Sequence, residues 1–183
     1  TDSVIYRDTD GSFYEKLSNG TVNCIDDEIP FEIPESWEWV RLGTIVDFSK
    51  SNSISFDRIK DSTWVLDLED IEKHSGRLLQ KKLQKDVKSK SDKHVFSEGN
   101  VLYSKLRPYL NKVIVADADG VCTSEILVFD FGDIYNRYAQ VYLMSSYFVE
   151  YAMRDAYGVK MPRLGSEKGN AALFPIPQHK EQL

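Results

Sequence analysis

The chain has 183 residues, of which 42% are hydrophobic and 12% aromatic, so it is long and apolar enough to form one domain with its own core. Its formal charge is −6, and no apolar run approaches the roughly 18 residues that a membrane-spanning helix needs. The two cysteines lack a C-x-x-C spacing, which argues against a disulfide framework or a zinc site and favours a reducing, cytoplasmic location.

The N-terminal segment, residues 1–36, is acidic and rich in turn residues. The first forty residues carry a charge of −8, and Pro30 and Pro34 disfavour a helix. We therefore expect an extended arm before a folded domain that starts at Trp37. Trp37 and Trp39 are expected to fix the start of that domain to its core.

Short apolar runs rich in β-branched and aromatic residues follow and predict a β-rich body. They cover residues 39–48, 64–68, 101–104, 112–116 and 126–131. Two helices are predicted next, and we expect both to pack on the sheet. The first is capped by Asp133 or Asn136 and ends at Met144, and the second is capped by Ser146, covers residues 147–157 and is closed by Gly158.

A cationic loop is predicted between the strands at 101–104 and 112–116. Its candidate DNA-binding side chains are Lys105, Arg107, Tyr109, Asn111 and Lys112. We assign the charged groups to phosphates, and the tyrosine or the asparagine to groove contacts. Pro108 should make the loop rigid. The alternative is an ordinary hairpin with solvated lysines.

This loop ends a basic band that extends from Arg77 to Lys112. The band contains ten Lys/Arg against three Asp/Glu, a local charge of +7, so the rest of the chain carries −13. A basic band in an acidic body can hold a polyanion on one face and repel it elsewhere. The lysines from Lys81 to Lys90 are equally compatible with a solvated surface segment.

Motifs for catalysis are scarce. The chain lacks a phosphate-binding glycine loop and the motifs of methyl transfer, and its three histidines are scattered among charged residues. One pattern leaves a Mg²⁺-dependent nuclease open, because carboxylates with a lysine can hold the ion and orient water. That pattern consists of Asp67 or Asp70, then Asp86 and Lys88.

Several short motifs occur in the order seen in target recognition domains of the specificity subunits of type I restriction-modification systems. They are IPESWEWVRLG at 33–43, WVLDLEDIE at 64–72, GNVLYSKLRPYLNK at 99–112, GVCTSE at 120–125, GVKMPRLG at 158–165 and FPIP at 174–177. Each motif is short, but the ordered set is specific. The chain resembles this family over about residues 31–183.

The resemblance implies a non-catalytic DNA-recognition component that needs no cofactor of its own. Its implied partners are double-stranded DNA, the modification (methyltransferase) subunit and the ATP-dependent restriction subunit. The implied fold class is α/β (α+β), with a twisted, mostly antiparallel β-sheet and flanking helices, similar to the target recognition domain of adenine DNA methyltransferases.

The domain boundaries follow from the same resemblance. Residues 1–36 would be the arm, 37–177 the target recognition domain and 178–183 the start of a spacer helix. A full specificity subunit carries two such domains, each followed by a long helix, and the two helices pair antiparallel as a spacer. The chain would therefore be an excised domain or a half-subunit that recognises one half-site of the DNA target.

Two further polar segments are candidate DNA contacts. The resemblance makes Lys160 and Arg163, on either side of Met161 and Pro162, a second DNA-facing turn, although a simple connector fits as well. Lys50 and Asn52 lie in a polar loop after the first strand, where the asparagine could contact an adenine edge or merely form a turn. The Thr123–Glu125 motif matches the family but also suits a strand start. A protein-interaction module without DNA binding remains the third class.

Overall fold

The computed structural model describes residues 3–48, 52–87, 90–154 and 160–182. The strands in these ranges are β1 (Ser3–Arg7), β2 (Phe13–Leu17), β3 (Val22–Cys24), β4 (Glu38–Arg41), β5 (Ser53–Ile54), β6 (Trp64–Leu66), β7 (Lys82–Leu83), β8 (Lys93–Phe96), β9 (Val101–Ser104), β10 (Val113–Val115), β11 (Gly120–Cys122), β12 (Ile126–Phe129) and β13 (Leu173–Ile176). The helices are α1 (Asn136–Met144), α2 (Ser146–Met153) and α3 (Ser166–Ala171). None of these helices has the length and hydropathy to cross a membrane.

Within the described ranges the strands form four sheets. Their orders are β1-β2-β3, β5-β8-β11-β6-β7, β10-β9-β12 and β13-β4. The β11–β6 pair is parallel, and every other pair among these strands is antiparallel. The predicted α+β class with mostly antiparallel strands is confirmed, with the strands divided among several small sheets.

Strand β9 is the central structural element of the domain. Its alternating side chains enter two cores: Val101 and Tyr103 pack with the helices, whereas Leu102 packs against the five-stranded sheet. β10 and β12 flank it on either side in antiparallel register. Because β9 is buried on both faces, the loop that follows it starts from a fixed position.

The predicted strands at 101–104 and 112–116 are confirmed as β9 and β10. The run predicted at 39–48 is shorter, because the strand β4 ends at Arg41 and a 3₁₀ turn covers Leu42–Thr44. A Cβ on Gly43 would lie only 2.7 Å from the Cβ of Asn170. The chain therefore bends where this glycine lets it pass closely over α3.

Helix α1 ends at Met144 as predicted, but its cap is Tyr135 and neither Asp133 nor Asn136, because Asn136 is already the first helical residue. Helix α2 begins at Ser146, but Ser145 is the cap, because its side chain accepts a hydrogen bond from the backbone N–H of Phe148. The predicted continuation to Tyr157 and Gly158 lies outside the described residues.

The acidic N-terminal segment is folded rather than extended. β1, β2 and β3 form an antiparallel meander, and Phe13, Ile25 and Ile33 are buried in the main core. The hairpin turns contain Gly11 and Gly20 at positive φ. These glycines complete Asp-Gly and Asn-Gly dipeptides, which are strong hairpin signals that outweigh the acidic composition.

A buried ion-pair network attaches this meander to the rest of the domain. The Arg41 guanidinium donates to both oxygens of Glu15, at 3.0 and 2.6 Å, and to Glu28 at 2.6 Å. Glu15 and Arg41 are almost fully buried. Hydrogen bonding by Arg41 lowers the pKa of Glu15, so the pair is ionised in the folded protein.

The C-terminal residues return to the start of the domain. β13 pairs with β4, and the indole N–H of Trp37 donates to Glu181 at 3.2 Å. Trp39 is buried in the core. One 3₁₀ turn, His179–Glu181, is seen where a spacer helix was expected to begin, and that helix stays a prediction.

Candidate nucleic-acid interface

Two cationic segments that are distant in sequence lie side by side. The backbone N–H of Arg107 donates to the carbonyl of Pro162 at 2.7 Å, and that of Leu164 donates to the carbonyl of Lys105 at 3.0 Å. Leu106 and Arg163 form an antiparallel bridge. The fold therefore joins the loop at 105–112 to the turn at 160–163.

The segment at 123–125 completes this surface. The backbone N–H of Lys105 donates to the carbonyl of Glu125 at 3.0 Å, and the Glu125 carboxylate accepts two hydrogen bonds from Arg163. Arg163 thereby lowers the pKa of the Glu125 carboxyl group. We call residues 105–112, 123–125 and 160–163 the loop surface, which carries five cationic side chains and one carboxylate.

The loop after β9 is a tightly fixed turn. Residues Pro108–Leu110 form a 3₁₀ turn that lies against α2, and Pro108 is buried. Arg107 and Asn111 on either side adopt left-handed backbone conformations, with φ of 51° and 49°. Tyr109 at the centre of the turn is 42% exposed, so its ring faces solvent.

Lys105 and Arg107 make no salt bridge with a described acidic residue. The Nε of Arg107 is buried and has no hydrogen-bond partner in the described part of the chain. Lys160 and Arg163 are exposed in the neighbouring turn. Among the described residues, Lys105, Arg107 and Lys160 thus have no acidic partner, whereas Arg163 pairs with Glu125.

Asn111 and Lys112 make internal contacts instead of facing outward. The Asn111 amide donates to the carbonyl of Met144 at 2.7 Å, at the end of α1, and the Lys112 ammonium donates to the carbonyl of Leu68. Partial burial, helped by the nearby charge of Lys73, lowers the pKa of Lys112. Both side chains support the loop in this structure, which differs from their expected roles at DNA.

Asn111→Ala is expected to lower the free energy of unfolding by about 1–2 kcal/mol, because it loses a hydrogen bond and places alanine at positive φ. Asn111→Gly keeps the backbone conformation and should lower the free energy of unfolding by a smaller amount. Chemical denaturation of the three proteins measures the difference. If alanine and glycine at this position left stability unchanged, the contact with Met144 would not hold the loop.

Asn52, from the polar loop predicted after the first strand, lies away from the loop surface. Lys50 is outside the described residues. Asn52 is exposed, and its carbonyl accepts from the N–H of Val95 at 2.7 Å. It lines a cleft of about 890 Å³ together with Ser97 and Asn100, which precede β9, whereas the loop surface follows β9. The structure does not bring Asn52 together with the predicted cationic loops.

Much of the basic band is neutralised locally. Its cations pair with acidic side chains as Arg77–Glu72 at 2.8 Å, Lys81–Asp117 at 2.6 Å, Lys82–Asp70 at 2.8 Å and Lys93–Asp67 at 3.6 Å. Lys81 also lies over the ring of Trp64. The band as a whole is therefore a weaker candidate for a polyanion site than the loop surface.

The carboxylates of the nuclease hypothesis have structural roles. Asp67 and Asp70 form a capping box around a 3₁₀ turn, and Asp70 is fully buried and bound by Gln80 and Lys82. Asp86 is in a separate 3₁₀ turn, and Lys88 lies outside the described residues. Nowhere in the described ranges do three or more His, Cys, Asp or Glu side chains group as a metal site.

One cation near the loop surface was not singled out by the sequence patterns. The backbone N–H of His74 donates to the carbonyls of Leu110 and Asn111 at 3.2 and 3.3 Å, so the turn that carries Lys73 lies beside the loop. Lys73 is exposed. Its only sequence signal is a polar turn, Lys-His-Ser-Gly, which by itself does not indicate proximity to residues 105–112.

No protein-family model matches the chain. Two curated Escherichia coli proteins are similar in sequence. The type I restriction enzyme EcoDI specificity subunit is 25% identical over 93% of this chain and 38% of its own length. The type I restriction enzyme EcoAI specificity subunit is 26% identical over 86% of this chain and 28% of its own length. The chain thus spans well under half of either relative.

Solved structures have the same fold. The crystal structure of the HsdS subunit from Thermoanaerobacter tengcongensis matches with a TM-score of 0.70 and 21% identity, over 85% of this chain and 41% of that one. A chain from a study of complex assembly and conformational transition of the type I R-M system matches with a TM-score of 0.68 and 19% identity, over 83% and 40%. The two curated relatives confirm the resemblance to specificity subunits seen in the motifs, and the solved structures show the fold.

Proposed function

We propose that the chain recognises one half-site of a double-stranded DNA target through the loop surface, as the specificity component of a type I restriction-modification complex or a part of it. The observation that carries this proposal is the junction of the cationic loop at 105–112 with the turn at 160–163. The similarity to specificity subunits supports the assignment.

The charge distribution supports a polyanionic ligand. The loop surface is cationic, whereas the remainder of the chain outside the basic band is strongly acidic. DNA would be attracted to one face and repelled from the others, because phosphate charge dominates protein–DNA affinity. Lys105 and Arg107 make no salt bridge with a described acidic residue, so their charges are available to a phosphate.

The partly buried Lys105 and Arg107 and the exposed Tyr109, Lys160 and Arg163 suggest a division of roles. Lys105, Arg107 and Lys160 are assigned to phosphates, and Tyr109 and Arg163 to the groove. Asn111 and Lys112 would act indirectly by holding the loop in place. Asn52 would contact DNA only if the duplex continued past the opposite end of β9, and Lys50 is proposed from the sequence alone.

We propose no catalytic role and no cofactor for this chain. Methylation and ATP-driven cleavage would belong to the modification and restriction subunits, which are the proposed protein partners. The cytoplasm is the proposed location, because DNA and these partners would be there and both cysteines are unpaired.

Titration of a labelled duplex at several salt concentrations tests the proposal. With roughly three to six phosphate contacts, the slope of log K against log salt should be about −3 to −5. Binding should be weak, because a single half-site is contacted. Binding that did not respond to salt, or no binding even at the lowest salt concentration, would argue against a cationic DNA face.

A further inference from the structure

The Arg163–Glu125 pair leaves one edge of a guanidinium free in a fixed orientation. Nε donates to one carboxylate oxygen of Glu125 at 3.1 Å, and Nη2 donates to the other at 3.0 Å. A guanidinium has five N–H donors in one plane. The pair uses one edge of the group, and the edge formed by Nη1 and the second hydrogen of Nη2 points away from the carboxylate.

Solvent reaches the guanidinium more easily than the carboxylate. The Arg163 side chain is 50% exposed and that of Glu125 is 26% exposed. The segment Lys105–Leu106 holds the backbones of both residues. Lys105 donates to the carbonyl of Glu125, and Leu106 forms the bridge with Arg163. The orientation of the outer edge is therefore set by the backbone as well as by the ion pair.

Two parallel coplanar donors match the O6 and N7 acceptors of guanine in the major groove. Phosphate also accepts paired donors, but here the carboxylate of Glu125 repels it, and the pair has no net charge with which to attract it. Lys105 and Arg107 lie beside the pair and have no carboxylate partner among the described residues. They therefore attract phosphates more strongly than Arg163 does.

We infer that Arg163, oriented by Glu125, recognises a guanine in the major groove and is a specificity-determining residue of this domain. The inference rests on the proposed DNA-binding function. Glu125 acts as a positioning residue, since it contacts Arg163 and not the base.

The first experiment selects bound DNA from a pool of randomised duplexes with the wild-type chain. A position with a guanine preference of roughly 10- to 100-fold is expected, the range of one bidentate base contact. On the selected duplex, 7-deazaguanine at that position should remove the preference, because it lacks N7. Inosine should preserve it, because it keeps both N7 and O6.

The second experiment repeats the selection with variants. Arg163→Lys should weaken the guanine preference at this one position more than it weakens binding to random duplex, because the charge is kept and the planar paired donors are lost. Arg77→Lys is the matched control, since Arg77 makes the same two-point contact with Glu72 outside the loop surface. That variant should keep the preference.

Glu125→Gln distinguishes a positioning role of the ion pair from a purely structural one. Removing the carboxylate charge should strengthen binding to random duplex by a few fold, while the guanine preference falls because Arg163 is no longer held. Thermal melting of each variant shows whether the fold is retained. The 7-deazaguanine and inosine duplexes with the wild-type chain test the contact without any substitution.

The outcomes separate the inference from the proposed function. If neither the wild type nor Glu125→Gln bound any duplex, the proposed function would fail and the inference with it. If DNA were bound but without a guanine preference, or with a preference that 7-deazaguanine or Arg163→Lys left intact, the inference would be overturned and DNA binding would stand.

Discussion

Arg41→Leu is expected to lower the free energy of unfolding by about 3–5 kcal/mol, because it leaves the buried Glu15 carboxylate without its cation. Glu15 and Arg41 are 7% and 8% exposed, so water cannot replace the missing partner. Denaturation followed by circular dichroism measures the change. Glu28→Gln is the control, because Glu28 has a side chain that is 49% exposed and such a substitution should cost less than about 1 kcal/mol.

The same pair should make stability depend on pH. Arg41 lowers the pKa of Glu15 in the folded protein. The contribution of the ionised pair to the free energy of unfolding is therefore fully present above the ordinary glutamate pKa of about 4.3. It is lost as the pH falls through the lower folded value. Glu15→Gln should flatten the acid limb of the stability profile.

Equal stability of Arg41→Leu and Glu28→Gln would mean that this network does not attach the N-terminal meander.

The double substitution Lys105→Glu with Arg107→Glu is expected to weaken DNA binding on the order of 100-fold at moderate salt, because two phosphate contacts become two repulsions. It should also reduce the salt slope by about two units, one for each cation that no longer binds a phosphate. Titration of a labelled duplex with wild type and variant provides the measurement.

The matched control is Lys60→Glu with Lys85→Glu, which changes the net charge equally at two exposed lysines, and Lys60 precedes β6 in the chain. β7 pairs antiparallel with β6, so Lys85 lies beyond the start of β6. β11 pairs parallel with β6, so Glu125, which follows β11, lies beyond the end of β6. The two residues are therefore at opposite ends of this sheet. The control should lose far less affinity. If both double variants were weakened by the same amount, net charge and not the loop surface would control binding.

Local patterns predicted the centre of the domain well. The strands on either side of the cationic loop and the helix α1 are close to their predicted bounds, because each is specified by neighbouring residues. The N-terminal meander differs from the expected extended arm, because the hairpin signals Asp10-Gly11 and Asn19-Gly20 outweigh the acidic composition. Its attachment depends on Arg41, whose two partners are remote in sequence.

The candidate site was only partly predictable for the same reason. The sequence identified the loops that carry Lys105 and Arg163, but their junction depends on backbone hydrogen bonds between distant segments. Asn111 bonds to the carbonyl of Met144, and Lys112 to that of Leu68. A single sequence pattern does not reveal such carbonyl partners, so side chains that suit DNA chemically have structural contacts instead.

Backbone amide chemical shifts of the isotope-labelled chain during titration with duplex DNA test the central claim most directly. We expect the largest shifts at residues 105–110, 123–125 and 160–164, and small shifts at Lys85 and in the N-terminal meander. Shifts concentrated around Lys81–Lys85, or in the cleft lined by Asn52 and Asn100, with residues 105–110 unchanged, would contradict a DNA-binding loop surface.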